Sequence, residues 1–168
     1  MNKAYENMRN FWLDIKNLEN RKGIMELGAD KISVAGVEMP VPDGNQTKYL
    51  LVATNSLGDC SLYFENNSKS GLGGMIGGHG DEKMQTVAAH MLAHASKLTA
   101  QMSADEKLPV PAAGCVRLFA VAKNKIFHIE LPEAEARNAQ NPFYPMFAYS
   151  QQLIGSFRAQ AQEHPAHC

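Results

Sequence analysis

Leu62-Tyr63-Phe64, then Ser70-Gly71-Leu72-Gly73-Gly74-Met75-Ile76-Gly77-Gly78-His79-Gly80, then Asp81 and the longest helical pattern in the chain: this run decides how the sequence is read. It gathers six of the 13 glycines into eleven residues. Glycine accepts positive φ and lets a backbone or a ligand come close. A glycine-rich turn that enters a helix also presents free N–H groups and the positive end of the helix dipole, which together suit an anion. The candidate ligand-binding residues are therefore Gly73, Gly74, Gly77, Gly78 and His79, within a Gly71–Asp81 turn and helix N-terminus that would hold a phosphate or nucleotide. The competing reading is structural: a glycine-lined turn that lets the next helix pack close to a sheet. It weighs more, because the motif lacks its usual frame. Counting from Gly71 and Gly73, a G-x-G-x-x-G pattern would need glycine where Ile76 stands, and no Gly-Lys-Ser/Thr closes a phosphate loop. The apolar pair Met75-Ile76 leaves room for a short strand inside the stretch.

Upstream, Tyr5, Met8, Trp12, Ile15 and Leu18 recur at three- and four-residue spacing and predict a helix over 3–22, with Trp12 as core. The texture then turns to β-type runs. Lys31–Val41 has its alternation shifted at Ala35-Gly36, which predicts a bulge or tight turn. Pro42-Asp43-Gly44-Asn45 is a turn. Tyr49–Ala53 is apolar on both faces, as a central strand is, and Cys60–Glu65 follows after Ser56-Leu57-Gly58-Asp59.

Downstream, Asp81 caps a helix to about Met102 whose stripe is Met84, Val87, Ala88, Met91, Ala95, Leu98 and Met102. Cys115–Ala122, apolar on both faces like a second central strand, and Lys125–Leu131 form a hairpin, with Phe127, Ile129 and Leu131 facing in and Ile126, His128 and Glu130 facing out. A helical turn falls at Glu133–Arg137 and a last helix at about Phe147–Glu163. The expected fold is α+β, a single domain over 1–163 with a flexible tail at 164–168. Its order is α-β-β-β-α-β-β-α, on a mostly antiparallel five-stranded sheet with helices packed on it. That order is similar to small sensor and adaptor folds of the profilin or PAS kind, which share it without sharing a function.

The formal charge is −1, with no Lys/Arg run, so nothing in it favours nucleic acid or an anionic membrane. Cys60, Cys115 and Cys168 are odd in number and unpatterned, which argues for reduced thiols and a cytoplasmic setting. No signal-like or bilayer-length apolar run is present in the sequence. His90 and His94 share a helical face, but the frame His90-Met91-Leu92-Ala93-His94 lacks the glutamate of a zinc protease and Lys83 and Lys97 lie nearby. His164, His167 and Cys168 cluster at one end without a second ligand group. No nucleophile elbow exists, and neither His79 nor His128 is paired by sequence with a nucleophile. The reading assigns no catalytic residue, no metal site and no cofactor.

Leu62-Tyr63-Phe64, then Gly73-Gly74-Met75-Ile76-Gly77-Gly78-His79 and a helix, with Gly114-Cys115-Val116-Arg117-Leu118-Phe119 downstream, resembles a family of small, functionally uncharacterised bacterial proteins. Their common feature is a strand, a Gly-Gly-x-Ile-Gly-Gly-type turn with a nearby His, then a helix. The resemblance implies a bacterial protein and supplies no activity; Asn66 to Ser70 are extra residues between strand and glycines here. The function expected is non-enzymatic binding of another protein, of the immunity or accessory type, with a homodimer left open. The alternative is the small-ligand module on the glycine stretch.

Overall fold

The computed structural model describes residues 1–14, 16, 31–67, 69, 71–122 and 125–163. The predicted tail at 164–168 lies outside the described residues, as do Ile15 and Leu18 of the first helix and the Lys123-Asn124 turn. The elements are α1 (Lys3–Leu13), β1 (Val34–Asp43), β2 (Gln46–Asn55), β3 (Cys60–Glu65), β4 (Leu72–Gly77), α2 (Glu82–Leu98), β5 (Ser103–Asp105), β6 (Cys115–Ala122), β7 (Lys125–Pro132), α3 (Glu133–Ala136) and α4 (Tyr144–Glu163).

One antiparallel sheet of seven strands, ordered β4-β3-β2-β1-β6-β7-β5, carries the fold. The α+β class stands, and the expected five strands are corrected to seven. Both additions are edge strands that sequence periodicity could not show. In β4, the glycines supply no side chains to mark which face is buried. In β5, three residues are too few to make a pattern. The predicted bulge at Ala35-Gly36 is also absent, because β1 pairs with β2 one to one from Val34↔Asn55 to Asp43↔Gln46. Gly36 is there for space: a Cβ would run into the Phe119 ring and the Val52 carbonyl. The β1–β2 turn is Gly44-Asn45, with Gly44 at φ +59.

The sheet is covered on both faces, which explains its two-sided apolar strands. On one face α2 and α4 pack on Ala35, Val37, Val52, Cys60, Leu62, Leu118 and Ala120 through Met84, Ala88, Met91, Ala95, Met146, Leu153 and Phe157. The predicted α2 stripe is thus core, and full burial of a side chain such as Met91 or Phe157 is worth roughly 1.5–3 kcal/mol. On the other face α1 sets Tyr5, Trp12 and Leu13 against Val34, Leu51, Ala53, Tyr63, Phe119, Val121 and Ile126. Ile126 was expected to face out. It faces away from α2 and α4 but into this second core, and is fully buried. Helix α1 ends at Leu13, short of the predicted 22, because Asp14 turns extended and bridges to Lys107.

Candidate functional site

The glycine stretch is a strand followed by a turn. Asn66 N–H donates to the Gly71 carbonyl at 3.1 Å and closes the β3–β4 connection. Strand β4 then pairs with β3 from Glu65↔Leu72 to Cys60↔Gly77. Alternation divides the candidate residues. Gly73 and Gly77 face the α2–α4 side, where a Cβ on Gly73 would run into the Phe64 ring and one on Gly77 would sit 3.1 Å from Phe157. Gly74 faces the opposite side, beside Tyr63. Gly78, at φ +92, is buried with its Cα against the Gly58 carbonyl, and His79 is exposed in the turn that follows. The five residues do not converge on one cavity.

Two of the N–H groups that open α2 are already used. Asp81 accepts from Lys83 N–H and Met84 N–H through one carboxylate oxygen, both at 3.0 Å, and its second oxygen lies 3.5 Å from Gln160 Nε2. The helix dipole is therefore answered by the chain's own carboxylate, with Glu82 beside it. A phosphate arriving there would have to displace Asp81 against like charge.

Beside β4, on the helical side, the sheet opens into a groove enclosing about 570 Å³. Leu50, Leu62, Phe64 and Met75 line its floor, and Ile154, Arg158 and Ala161 of α4 form its wall. At the rim Lys48 pairs with Asp43 and donates to Asn67, and that pairing holds the Asp43 carboxyl below its ordinary range. Arg158 is exposed and has no ion-pair partner among the described residues. The arrangement offers apolar surface and one available cation. A second cavity of about 430 Å³, between the 55–58 turn and α2, has a mixed lining in which Ile32, Leu57 and Leu92 stand among small and polar side chains.

From the central strand outward to β7, the α1 side of the sheet holds a row of charges. Glu38, Arg117 and Glu130 are opposite one another on β1, β6 and β7. Arg9 of α1 closes over them: its Nε and one terminal nitrogen donate to Glu38 at 2.5 and 2.9 Å. Its guanidinium also donates to the carbonyls of Leu108 at 2.7 Å and Pro109 at 2.6 Å. Arg117 donates to Glu130 and to the Pro109 carbonyl. Burial pushes the Glu38 carboxyl above its ordinary range, against the pull of Arg9 and Arg117. Burial and the nearby Glu38 charge push the Tyr5 hydroxyl well up, and it donates to Glu38 at 3.3 Å. Every oxygen in this row is committed to the fold, so it is a clasp that fastens α1 and the 108–109 segment to the sheet. The sequence does carry a signal for it: Glu38 and Arg117 are charges inside otherwise apolar strand runs.

The nearest approach to a catalytic constellation is Ser103, Asp105 and His128. They share one face of the β5–β7 pair, and His128 Nε2 lies 2.7 Å from Asp105. The other ring nitrogen, Nδ1, is buried without a hydrogen-bond partner, so Ser103 is not engaged. Cys60 is fully buried and burial pushes its thiol pKa up, the opposite of an activated nucleophile. His90 and His94 flank the Tyr149 ring at 5.7 and 5.6 Å, and burial, Lys97 and His90 together lower the His94 pKa. His164, His167 and Cys168 lie outside the described residues. Among the described residues no group of three His, Cys, Asp or Glu side chains could hold a metal ion, and no helix is long and apolar enough to cross a membrane.

No protein-family model matches this chain, and no curated protein matches it.

Proposed function

We propose that the protein is a non-enzymatic binding protein of the immunity or accessory type. It would work in a reducing compartment and take an apolar, carboxylate-bearing segment of another protein into the groove between α4 and β2–β4. The observation that carries this reading is the groove itself: Leu50, Leu62, Phe64 and Met75 as an apolar floor, with Arg158 at its wall and no ion-pair partner for it among the described residues. A partner segment would cover that surface and answer the cation. Cys60 and Cys115 as free thiols, the first buried, support the reducing setting.

The test is gentle isolation of the untagged chain from its own host, followed by native mass spectrometry. The expected result is a co-isolated protein that is lost from Ala161→Glu, a substitution at an exposed position on the groove wall that leaves the core untouched. Recovery of the chain alone contradicts the reading. So does recovery of the same partner on the variant.

A further inference from the structure

We infer that the outer edge of β4 is a self-association edge, on which a second copy of this chain docks its own β4 antiparallel and joins the two sheets. The inference goes beyond the groove and rests on separate observations. Strand β4 pairs with β3 on one side, and its other side carries no strand among the described residues. An edge strand presents a row of unpaired N–H and C=O groups, and monomeric proteins guard such edges with charge, proline, bulges or shortness. From Gly73 to Gly77 the strand has none of these: β4 is six residues long, uncharged, free of proline and paired with β3 without a bulge, and Leu72 at its start already has a partner. It also displays Ile76, 76% exposed and the most exposed of the large hydrophobic side chains described.

The strand is complementary to itself. Side chains directly opposite in an antiparallel pair share a face, so a two-fold axis at Met75 sets Ile76 against Gly74 of the second copy and Gly73 against Gly77. Ile76 then meets a position with no side chain, and the two copies of Met75 meet each other on the axis. The ends match as well. Lys69 precedes the strand, while Asp81 and Glu82 follow it, so antiparallel docking brings the cation of one copy to the acidic end of the other. A second copy is the occupant whose charge and shape the chain itself supplies. Met75 lies on the groove floor, so this seam would set the two grooves side by side across the axis.

Sedimentation equilibrium of the whole chain over a range of concentrations tests this, with Ile76→Lys and Ala161→Glu run alongside and circular dichroism confirming that each is folded. The expected result is a wild-type dimer, an I76K dissociation constant raised about 100-fold by like charges at the seam, and an A161E dimer like wild type. A second pair of variants keeps the test independent of one side chain: Lys69→Glu weakens the dimer, and adding Glu82→Lys restores it. A monomer at every concentration overturns the inference. So does a dimer that I76K leaves intact, or a wild-type monomer that I76K stops from binding a different protein, which would give the edge to a foreign strand. Loss of partner binding in A161E with the dimer kept, or the reverse, separates failure of the groove reading from failure of this one.

Discussion

The two ends of the sheet are built from different chemistry. At the β5 end the edge strand has three residues and carries Asp105, paired to His128 at 2.7 Å. Asp14 bridges to Lys107 just beyond it, and Arg9 grips the Leu108 and Pro109 carbonyls that follow while pairing with Glu38 on the central strand β1. At the β4 end the edge strand is twice as long, three of its six residues are glycine, and no charge lies within it. The N-terminal segment ties down both sides of the sheet, through Arg9 on one and through the bonds of Asn2 to Glu65 and the Gly71 carbonyl on the other. But only the β5 edge strand itself carries a charged pair, and from Gly73 to Gly77 the β4 edge is bare. The difference separates what holds the molecule together from what it can offer a partner.

The comparison breaks most sharply at the clasp. Glu38→Ala strands the buried Arg9 without its carboxylate and leaves Arg117 with Glu130 alone, and the expected cost is about 3–5 kcal/mol by denaturant unfolding. A loss under 1 kcal/mol would mean that water or relaxation replaces the carboxylate and that the clasp is not held by charge. Next comes Gly78→Val, just past β4. The left-handed φ of +92 and the Gly58 carbonyl in the way of a Cβ together cost about 2–4 kcal/mol. If this variant melts like wild type, the 77–81 turn is free to rearrange, and the small-ligand reading of that turn would regain ground.

Ile76→Lys sharpens the contrast, because it alters the bare edge without touching the core. Its unfolding free energy should stay within about 0.5 kcal/mol of a wild-type sample held dilute, while association is lost. Asp105→Asn is the smallest change. Its pair with His128 has a largely exposed carboxylate, so roughly 0.5 kcal/mol or less is expected, with association unaltered. In the same preparations iodoacetamide should spare Cys60, which is fully buried in the strand that carries β4, until denaturant opens the sheet. Early modification of Cys60 would show β4 peeling away on its own.

Much of the interior was legible in the sequence. The Met84–Ala88–Met91–Ala95 spacing identified the core face of α2, Asp81 marked its cap, and the two-sided apolar runs at Tyr49–Ala53 and Cys115–Ala122 marked central strands. Both edges were not. A strand is recognised by side chains that alternate between faces, and Gly73, Gly74 and Gly77 have none to alternate, so β4 showed only as Met75-Ile76, an apolar pair with room for a short strand inside a turn. The clasp was missed for another reason. Glu38 and Arg117 are 79 positions apart by residue number, and only the β1–β6 register sets them opposite each other. The groove is less visible still, since Leu50, Phe64, Met75 and Arg158 come from four separate elements.

Amide hydrogen exchange, followed residue by residue at two protein concentrations, compares the two edges in one experiment. Exchange at Gly73–Gly77 should slow as concentration rises, while exchange at Ser103–Asp105 stays constant. Concentration-independent exchange in β4, or protection that grows at β5 instead, would contradict the assignment of the bare edge as the one that binds.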